Sequence, residues 1–320
     1  MKKNSSNKNN KSGESLGVRV KKDLKRNYSA YLLVLPVLVF YGVFAYKPMY
    51  GAIIAFKDFS PRLGILDSPW TDLYGLKHFL SFFQSYYFGR ILKNTLVISF
   101  STLIFSFPAP IILALLLNEV RNRRFKKAVQ TISYLPHFIS LVVVCSLITM
   151  FTSHNGMIVD FLSVFGFETN MDLLNNKKLF VPIYVISDIW QKIGWDSIIY
   201  IAALAGIDQE QYEAARIDGA NKWKQMLHVT LPGIAGTIIL LFILRIGQIM
   251  NVGHEKIILL YNDGILETAD VISSFVYRRG ILESNWSFSA AVGLFNSSIN
   301  FLLVILANKI SKKFSGTGLW

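Results

Sequence analysis

The chain has 320 residues, of which 52% are hydrophobic and 17% are charged, and its formal net charge is +13. Its apolar residues cluster in blocks of about twenty, the length at which a helix crosses a bilayer, which excludes an ordinary soluble domain. The basic residues flank these blocks and form no RNA- or DNA-binding motif, which argues against a nucleic-acid partner.

Residues 1–27 are polar and rich in Asn, Ser and Lys, a composition that predicts a disordered basic segment. The apolar run that follows begins only near Ala30, and no small-x-small cleavage site comes after it. We therefore expect the first span to be retained as a signal anchor. A transmembrane domain should occupy residues 28–313, followed by a short tail at 314–320.

Hydropathy predicts an all-α membrane protein with about six transmembrane helices, near residues 30–56, 91–118, 128–152, 179–203, 229–251 and 287–308. Lys47-Pro48 interrupts the first of them, which therefore either ends near Tyr46 or continues, kinked, through Ile53-Ile54. Prolines also occur in the second, third and fourth spans, where neighbouring helices can satisfy the carbonyls that proline leaves free. These are Pro108, Pro110, Pro136 and Pro182.

Basic residues predict the orientation of the spans, because Lys and Arg accumulate on the cytoplasmic side. With both termini cytoplasmic, the inner segments hold 20 of the 33 Lys and Arg residues and the three external loops hold nine. The inner residues are Lys2, Lys3, Lys8, Lys11, Arg19, Lys21, Lys22, Lys25, Arg26, Arg121, Arg123, Arg124, Lys126, Lys127, Arg216, Lys222, Lys224, Lys309, Lys312 and Lys313. The loop at 204–232 is therefore predicted to be cytoplasmic.

That loop combines helix-forming residues with an interruption. Glu210 and Glu213 suit a helix N-terminus, and Gly219 comes about two turns later, which predicts a helix, a break and a second helix. Small side chains there would let another surface approach the backbone, while Glu213 and Asp218 offer charge to a basic partner. Pro232 suits the start of the next span, because its missing N–H would have no partner there.

The run EAARIDGANKWKQMLHVTLPGI, residues 213–234, resembles the EAA loop of binding-protein-dependent ABC importer permeases. In that family the loop is the coupling helix, which sits in a groove of the ATP-hydrolysing subunit. The alternative is a short solvated helix between two spans. The resemblance implies that the residues coupling transport to ATP hydrolysis are Glu213, Ala214, Ala215, Asp218, Gly219, Ala220, Leu231 and Pro232.

Further segments resemble one branch of this family, the LplB-type permeases, which are similar to permeases for alginate, pectin-derived and other complex oligosaccharides. They are YLLVLP at 31–36, MYG at 49–51 with AFKDF at 55–59, FPAP at 107–110 with ALLLNE at 114–119, and SYLPHFIS at 133–140. The resemblance covers nearly all of residues 27–313. It implies the type I ABC importer permease fold, a multi-pass location in a bacterial cell membrane, and the import of oligosaccharides.

The resemblance also implies partners. Such permeases pair with a second, homologous permease subunit, two ABC ATPase subunits and an extracellular solute-binding lipoprotein that delivers the oligosaccharide. ATP and Mg²⁺ would be bound by the ATPase subunits. We therefore expect no cofactor, no metal ion and no catalytic residue in this chain.

Motifs of nucleotide-binding and hydrolytic enzymes are absent from the sequence, which has no phosphate-binding loop, no His-Glu-x-x-His and no Gly-x-Ser-x-Gly. A membrane-embedded enzyme would have His137, Asp188 and Asp196 as its titrating groups, but their spacing fits neither a metal site nor a nucleophile. An ion-coupled secondary transporter would use the same buried charges. The EAA-like loop argues against an ion-coupled secondary transporter.

Polar side chains inside spans are costly in hydrocarbon unless they are paired or face a cavity. In the fourth span Asp188, Lys192 and Asp196 fall at i, i+4 and i+8 and form one stripe, flanked by Gln191 and Trp195. This stripe predicts either contact with sugar or a neutralised ladder that only holds helices together. The other candidates for the substrate path, in the fifth and sixth spans, are Arg245, Gln248, Asn251, Asn296 and Asn300.

The third span carries two further expectations. Ser133, His137 and Ser140 should share one face of its helix, with His137 as a structural hydrogen-bonding group rather than a proton relay. The lone Cys145 cannot form an internal disulfide and is expected to be a small buried apolar residue.

Overall fold

The computed structural model describes residues 16–166 and 171–320, and this part of the chain is helical apart from turns, loops and one isolated bridge, Lys57–Trp70. The all-α class expected from hydropathy is confirmed. The helices are, in chain order, α1 Leu16–Arg26, α2 Tyr28–Phe56, α3 Gly64–Asp67, α4 Lys77–Phe83, α5 Phe88–Glu119, α6 Arg123–Tyr134, α7 Leu141–Thr152, α8 Met157–Ser163, α9 Phe180–Ala205, α10 Gln209–Ile217, α11 Lys222–Ile246, α12 His254–Leu260, α13 Leu266–Ala269, α14 Ile272–Tyr277 and α15 Trp286–Ser315.

Five helical segments in the described residues are long and apolar enough to cross a membrane: α2, α5, the stretch Leu141–Ser163, α11 and α15. A sixth helix of spanning length is α9, which has 26 residues and carries Asp188, Lys192 and Asp196 among its apolar positions. Large apolar side chains remain exposed on these helices, as a surface in contact with lipid requires. The prediction of about six transmembrane helices is confirmed.

The N-terminal unit, residues 1–53, corrects one prediction. Residues 1–27 were expected to be disordered, but Leu16–Arg26 forms the helix α1. Asp23 joins this helix to the next, because its carboxylate accepts hydrogen bonds from Asn27 Nδ2 at 2.7 Å and from the Tyr31 hydroxyl at 2.6 Å. Composition alone does not register such contacts between neighbouring helices. The rest of the predicted disordered segment, residues 1–15, lies outside the described residues.

Helix α2 decides between the two alternatives for the first span, because it continues through Lys47-Pro48 to Phe56. A π-helical turn, Gly42–Tyr46, precedes Pro48. The same arrangement recurs in α5 and α11, where π turns end two residues before Pro108 and Pro232. Proline cannot donate to the carbonyl four residues earlier and its ring crowds that carbonyl, and a wider turn relieves the crowding.

The third span lies later in the chain than the sequence predicts. Instead of one helix over 128–152, the amphipathic α6 ends at Tyr134, and a 3-10 turn, Leu135–Phe138, separates it from α7. Pro136 lacks an N–H to continue the first helix, and the Ser140 hydroxyl caps the second by accepting from Val143 N. Ser133, His137 and Ser140 therefore belong to three different elements and do not share one helix face.

The second unit, residues 54–320, is organised around α9, which packs against α5, α6 and α11. One cluster of buried apolar side chains joins α7, α9 and α12, and it contains Cys145, as expected. A second cluster joins α4, α5, α14 and α15, and a third lies where α5, α9 and α11 meet. The charged stripe of α9 is thus held between several spanning helices.

Gly194 sets how closely α9 and α6 approach. A Cβ atom at this position would overlap the backbone carbonyl of Ser133. We expect Gly194→Ala to separate the two helices and to destabilise the protein by about 1–3 kcal/mol, the usual cost of overpacking. Gly236 of α11 is the matched control, since no atom lies within 4 Å of its added Cβ. The check is the thermal midpoint in detergent, and equal midpoints for the two variants would contradict the expected clash.

Candidate functional site

A cavity of about 280 Å³ lies between α5, α9 and α11. Its polar lining comes mainly from one face of α9 and from the end of α11, where the spacing of three to four residues places side chains on the same side of a helix. The residues that line it are Ser106, Phe107, Pro110, Asp188, Ile189, Lys192, Ile193, Asp196, Ile199, Tyr200, Leu241, Leu244, Arg245 and Gln248. Five of the ten predicted path residues therefore meet at one cavity.

The charged side chains of the cavity are unequally paired. Lys192 Nζ lies 2.6 Å from Asp188 Oδ1, and the side chain of Asp188 is only 5% exposed while that of Lys192 is 42% exposed. Among the described residues, neither Asp196 nor Arg245 forms an ion pair. The stripe thus contains one tight pair, while the Asp196 carboxylate of α9 and the Arg245 guanidinium of α11 line the cavity without an ion-pair partner among the described residues.

A second, smaller cavity of about 100 Å³ continues from the first, since both are lined by Asp188, Lys192, Arg245 and Gln248. It extends past Asn251, a sixth predicted path residue. Polar side chains of α9 and of the end of α11 thus line both cavities, among apolar ones. The polar groups suit hydroxyl-rich solutes, which need hydrogen-bonding partners when they leave water.

Three of the predicted asparagines are joined to each other or to the backbone. Asn296 Nδ2 donates to Asn251 Oδ1 at 2.8 Å, and Asn251 Nδ2 donates to Gln248 Oε1 at 2.8 Å. Asn300 Oδ1 accepts from Met250 N at 3.1 Å. Asn296 and Asn300 do not line either of the two cavities, and these bonds instead fasten α15 to the turn that follows α11.

Gln191 and Trp195 also lie outside both cavities. Gln191 is buried. The Trp195 ring stacks on the imidazole of His137, with the ring centroids 4.4 Å apart and the planes nearly parallel. His137 therefore makes a packing contact, and it covers one face of the Trp195 ring.

Sequence reasoning missed Ser106, which lines the larger cavity. Its hydroxyl oxygen is buried and has no hydrogen-bond partner within the described chain, a cost that a bound hydroxyl-rich solute would relieve. Ser106 closes the π turn that precedes Pro108. A serine two residues before a proline in a spanning helix was the available signal, because prolines there mark local widening of the helix.

The loop at 204–232 forms the predicted helix, break and helix. Asp208 caps α10, since its carboxylate accepts from Glu210 N at 3.0 Å, and Asn221 caps α11 by accepting from Lys224 N at 2.9 Å. Gly219 separates the two helices in the left-handed region, with φ +76°, a conformation that favours glycine. The expected interruption at Gly219 is therefore present.

The inner side of this loop is fixed to the membrane domain. The Tyr212 hydroxyl donates to Thr230 Oγ1 at 3.0 Å, Gln225 Nε2 donates to the Ala220 carbonyl at 2.7 Å, and Lys222 Nζ lies 2.8 Å from Glu119 Oε2. These contacts connect α10 to α11 and α11 to the end of α5. The loop is thus linked to two helices that line the cavity.

The outer side of the loop is uncovered. Glu213, Ala214, Asp218, Gly219 and Pro232 are exposed, whereas Ala215, Ala220 and Leu231 are half-buried. Two apolar residues that sequence reasoning did not select, Ile217 and Trp223, are 86% and 70% exposed. An exposed patch of small, apolar and acidic side chains has the composition of a protein-docking surface.

No group of three potential metal ligands occurs within residues 16–166 and 171–320.

Comparison with known proteins assigns this chain to a family. Residues 106–316 match the family described as binding-protein-dependent transport system inner membrane component. The polygalacturonan/rhamnogalacturonan transport system permease protein YteP of Bacillus subtilis (strain 168) is 44% identical over 291 residues, which cover 91% of this chain and 89% of that protein. Protein LplB of the same organism is 43% identical over 297 residues, covering 93% and 92%.

A solved structure has the same fold. A chain in the crystal structure of a bacterial alginate ABC transporter, in complex with its alginate pentasaccharide-bound periplasmic protein, superposes with a TM-score of 0.85. The two chains are 41% identical, and the match covers 94% of this chain and 100% of the other. The resemblance to LplB-type permeases and the type I importer fold are confirmed.

Proposed function

The chain belongs to the binding-protein-dependent transport system inner membrane components, and we propose that it translocates acidic oligosaccharides as the permease subunit of an ABC importer. The family makes it a multi-pass membrane protein. The observation that supports the acidic cargo is the cavity between spanning helices, where Arg245 has no ion-pair partner among the described residues. A guanidinium without an ion-pair partner is well suited to bind a carboxylate.

The chemistry of the cavity fits a uronic acid unit. Arg245 would pair with the carboxylate, while Asp196, Gln248 and the unpartnered hydroxyl of Ser106 would bind sugar hydroxyls. Lys192 is already held by Asp188 and would act at longer range. The polysaccharides in the names of the relatives, polygalacturonan and alginate, contain uronic acids, which supports the same assignment.

We propose that the complex contains a second permease, two ATPase subunits that bind ATP and Mg²⁺, and an extracellular solute-binding lipoprotein. With both termini in the cytoplasm, the exposed side of α10 faces the ATPases. A loaded binding protein docks outside, ATP closes the two ATPases, and the loop at 204–232 passes that closure to α5 and α11. The contacts of Lys222 with Glu119 and of Tyr212 with Thr230 support this route.

The test of this function is uptake of trigalacturonate by proteoliposomes that contain the complete complex. We expect accumulation that requires internal ATP and the external binding protein, and that maltotriose does not displace. Uptake driven by an ion gradient without ATP would favour the alternative of a secondary transporter. Chemical conversion of the sugar by the chain alone would favour a membrane-embedded enzyme.

Arg245→Gln should lower the uptake of trigalacturonate by at least about tenfold per assembled complex, because truncating one partner of a desolvated charge pair costs about 2–5 kcal/mol. Arg245→Lys is the matched control and should retain more activity, since it keeps the charge but loses the planar fork. The measurement is initial uptake rate divided by the amount of complex recovered. Wild-type uptake by the glutamine variant would exclude Arg245 as the carboxylate partner.

A further inference from the structure

A separate polar pocket, of about 280 Å³, lies near the beginning of α5 and contains three arginines. These are Arg90, Arg278 and Arg279, and the pocket also contains the carboxylates of Asp270 and Glu283. It shares no lining residue with the two cavities along α9. With cytoplasmic termini, α5 begins on the external side of the membrane, and the pocket therefore opens outside the cell.

The charges in this pocket do not balance. The side chain of Asp270 is 1% exposed, and its Oδ2 atom accepts from Arg278 Nη2 at 2.5 Å. Arg90 Nη2 lies 3.9 Å from that same oxygen, while Oδ1 accepts from the Ser274 hydroxyl at 2.7 Å. Arg279 Nη1 is satisfied by Glu283 at 2.6 Å. One buried carboxylate thus faces two guanidinium groups, and Arg90 is the more distant of the two.

Arg90 also has an unused donor. Its Nε atom is buried and has no hydrogen-bond partner within the described residues. A buried donor without an acceptor costs about 1–3 kcal/mol, so a group that supplies both an acceptor and a negative charge would be bound favourably here. A carboxylate supplies both, and its two oxygens match the fork of an arginine.

The arginines are held in place before any ligand arrives. The Arg90 guanidinium carbon lies 4.9 Å from the centroid of the Tyr87 ring, and that of Arg279 lies 5.7 Å from the Phe275 ring. Cation–π contacts of this kind orient the guanidinium groups and restrict their rotamers. The pocket therefore loses less conformational entropy on binding than free surface arginines would.

We propose that this pocket receives the carboxylate of an Asp or Glu side chain on the extracellular solute-binding protein, and so forms part of its docking surface. The proposal rests on the function proposed above. Arg278 and Arg279 are already paired with carboxylates of this chain, so the pocket offers one guanidinium with an unused N–H, which suits a single side-chain carboxylate. The absence of shared lining with the α9 cavities also separates its occupant from the cargo.

The experiment titrates the binding protein loaded with trigalacturonate against the reconstituted complex and follows ATP hydrolysis. We expect Arg90→Gln to raise the half-saturating concentration of the binding protein by at least about tenfold, with the maximal rate retained and a weaker salt dependence. Arg62→Gln is the matched control, an exposed arginine of the same external segment that should change the concentration little. Arg278 is left intact because it compensates the buried Asp270.

Each outcome decides the proposal. If the wild-type complex is stimulated by the binding protein and Arg90→Gln has the same half-saturating concentration, the docking role of the pocket is overturned. The importer function is not affected by that result. A loss of maximal rate with trigalacturonate, at an unchanged half-saturating concentration, assigns the pocket to the cargo and overturns the docking role. No stimulation of the wild-type complex would overturn the importer function and the docking site together. Direct binding of labelled binding protein to the complex, without ATP, separates docking from loss of folded protein.

Discussion

Glu213→Lys should abolish the stimulation of ATP hydrolysis by loaded binding protein while the chain still reaches the membrane in normal amount. Glu213 is exposed on α10, on a side of the helix away from Tyr212, which anchors the loop through its hydroxyl. The substitution therefore leaves the fold intact and reverses the charge presented to the ATPase. Like charges placed together at an interface cost several kcal/mol, enough to prevent docking of a partner that offers a basic group.

The matched control is Gln211→Lys, which adds a positive charge to the same exposed helix. Two residues turn an α-helix by about 200°, so this charge lies on a different side from that of Glu213. We expect nearly normal stimulation in the control. Equal loss in both variants would indicate a general effect of charge and would contradict a docking role for Glu213.

Gly219 provides a second test of the same loop through its backbone. Its φ of +76° is costly for leucine and far less costly for asparagine, which tolerates the left-handed conformation. Gly219→Leu should therefore lose coupling, and Gly219→Asn should retain most of it. The measurement is again stimulated ATP hydrolysis per complex, and normal coupling in the leucine variant would remove the loop from the proposed mechanism.

A second large effect is expected from breaking the ion pair between Asp188 and Lys192 in the cavity. Lys192→Met should reduce the yield of assembled complex, because it removes the ion-pair partner of the buried Asp188 carboxylate, and breaking a buried pair costs about 3–5 kcal/mol. A double variant, Asp188→Leu with Lys192→Met, removes both charges and should restore the yield. The yields after detergent extraction are compared with wild type. Normal yield in the single variant would show that the pair does not stabilise the assembly.

Uptake per complex in the double variant then shows whether the Asp188–Lys192 pair only holds the helices together or also contacts the cargo. If the pair only holds the helices, uptake should stay near wild type once the yield is restored. Lys192 is exposed to both cavities, so contact of its charge with the cargo predicts reduced uptake at normal yield instead. We expect a reduction smaller than that of Arg245→Gln, since Lys192 already has a partner and Arg245 has none among the described residues.

The spans that sequence reasoning placed well are those whose apolar blocks end at clear polar boundaries. The predicted 91–118 and 287–308 fall inside α5 and α15, and the helix of 179–203 is α9. The third span failed because the apolar character continues through Pro136, while the backbone turns there. Hydropathy measures composition and does not register the missing N–H that ends α6.

The cavity was only partly predictable for a similar reason. Helical spacing placed Asp188, Lys192 and Asp196 on one side of α9, and the structure puts all three at the cavity. Spacing within one helix cannot show which neighbouring helix a side chain meets. It therefore could not show that Asn296 and Asn300 bond to the turn after α11.

The arginine pocket was beyond the reach of sequence reasoning. Arg90 and Arg278 are far apart in the chain, and only the packing of α5 against the segment before α15 brings both to Asp270. The sequence did indicate basic external residues. It could not show that one buried carboxylate serves two of them, since that depends on contacts between distant segments.

The proposed acidic cargo is tested most directly by a structure of the complete complex, trapped with ATP bound and with trigalacturonate enclosed. We expect sugar density in the cavity between α5, α9 and α11, with a carboxylate within ion-pair distance of the Arg245 guanidinium and a hydroxyl at Ser106 Oγ. Sugar density bound elsewhere, with Arg245 and Ser106 facing no cargo, would contradict it.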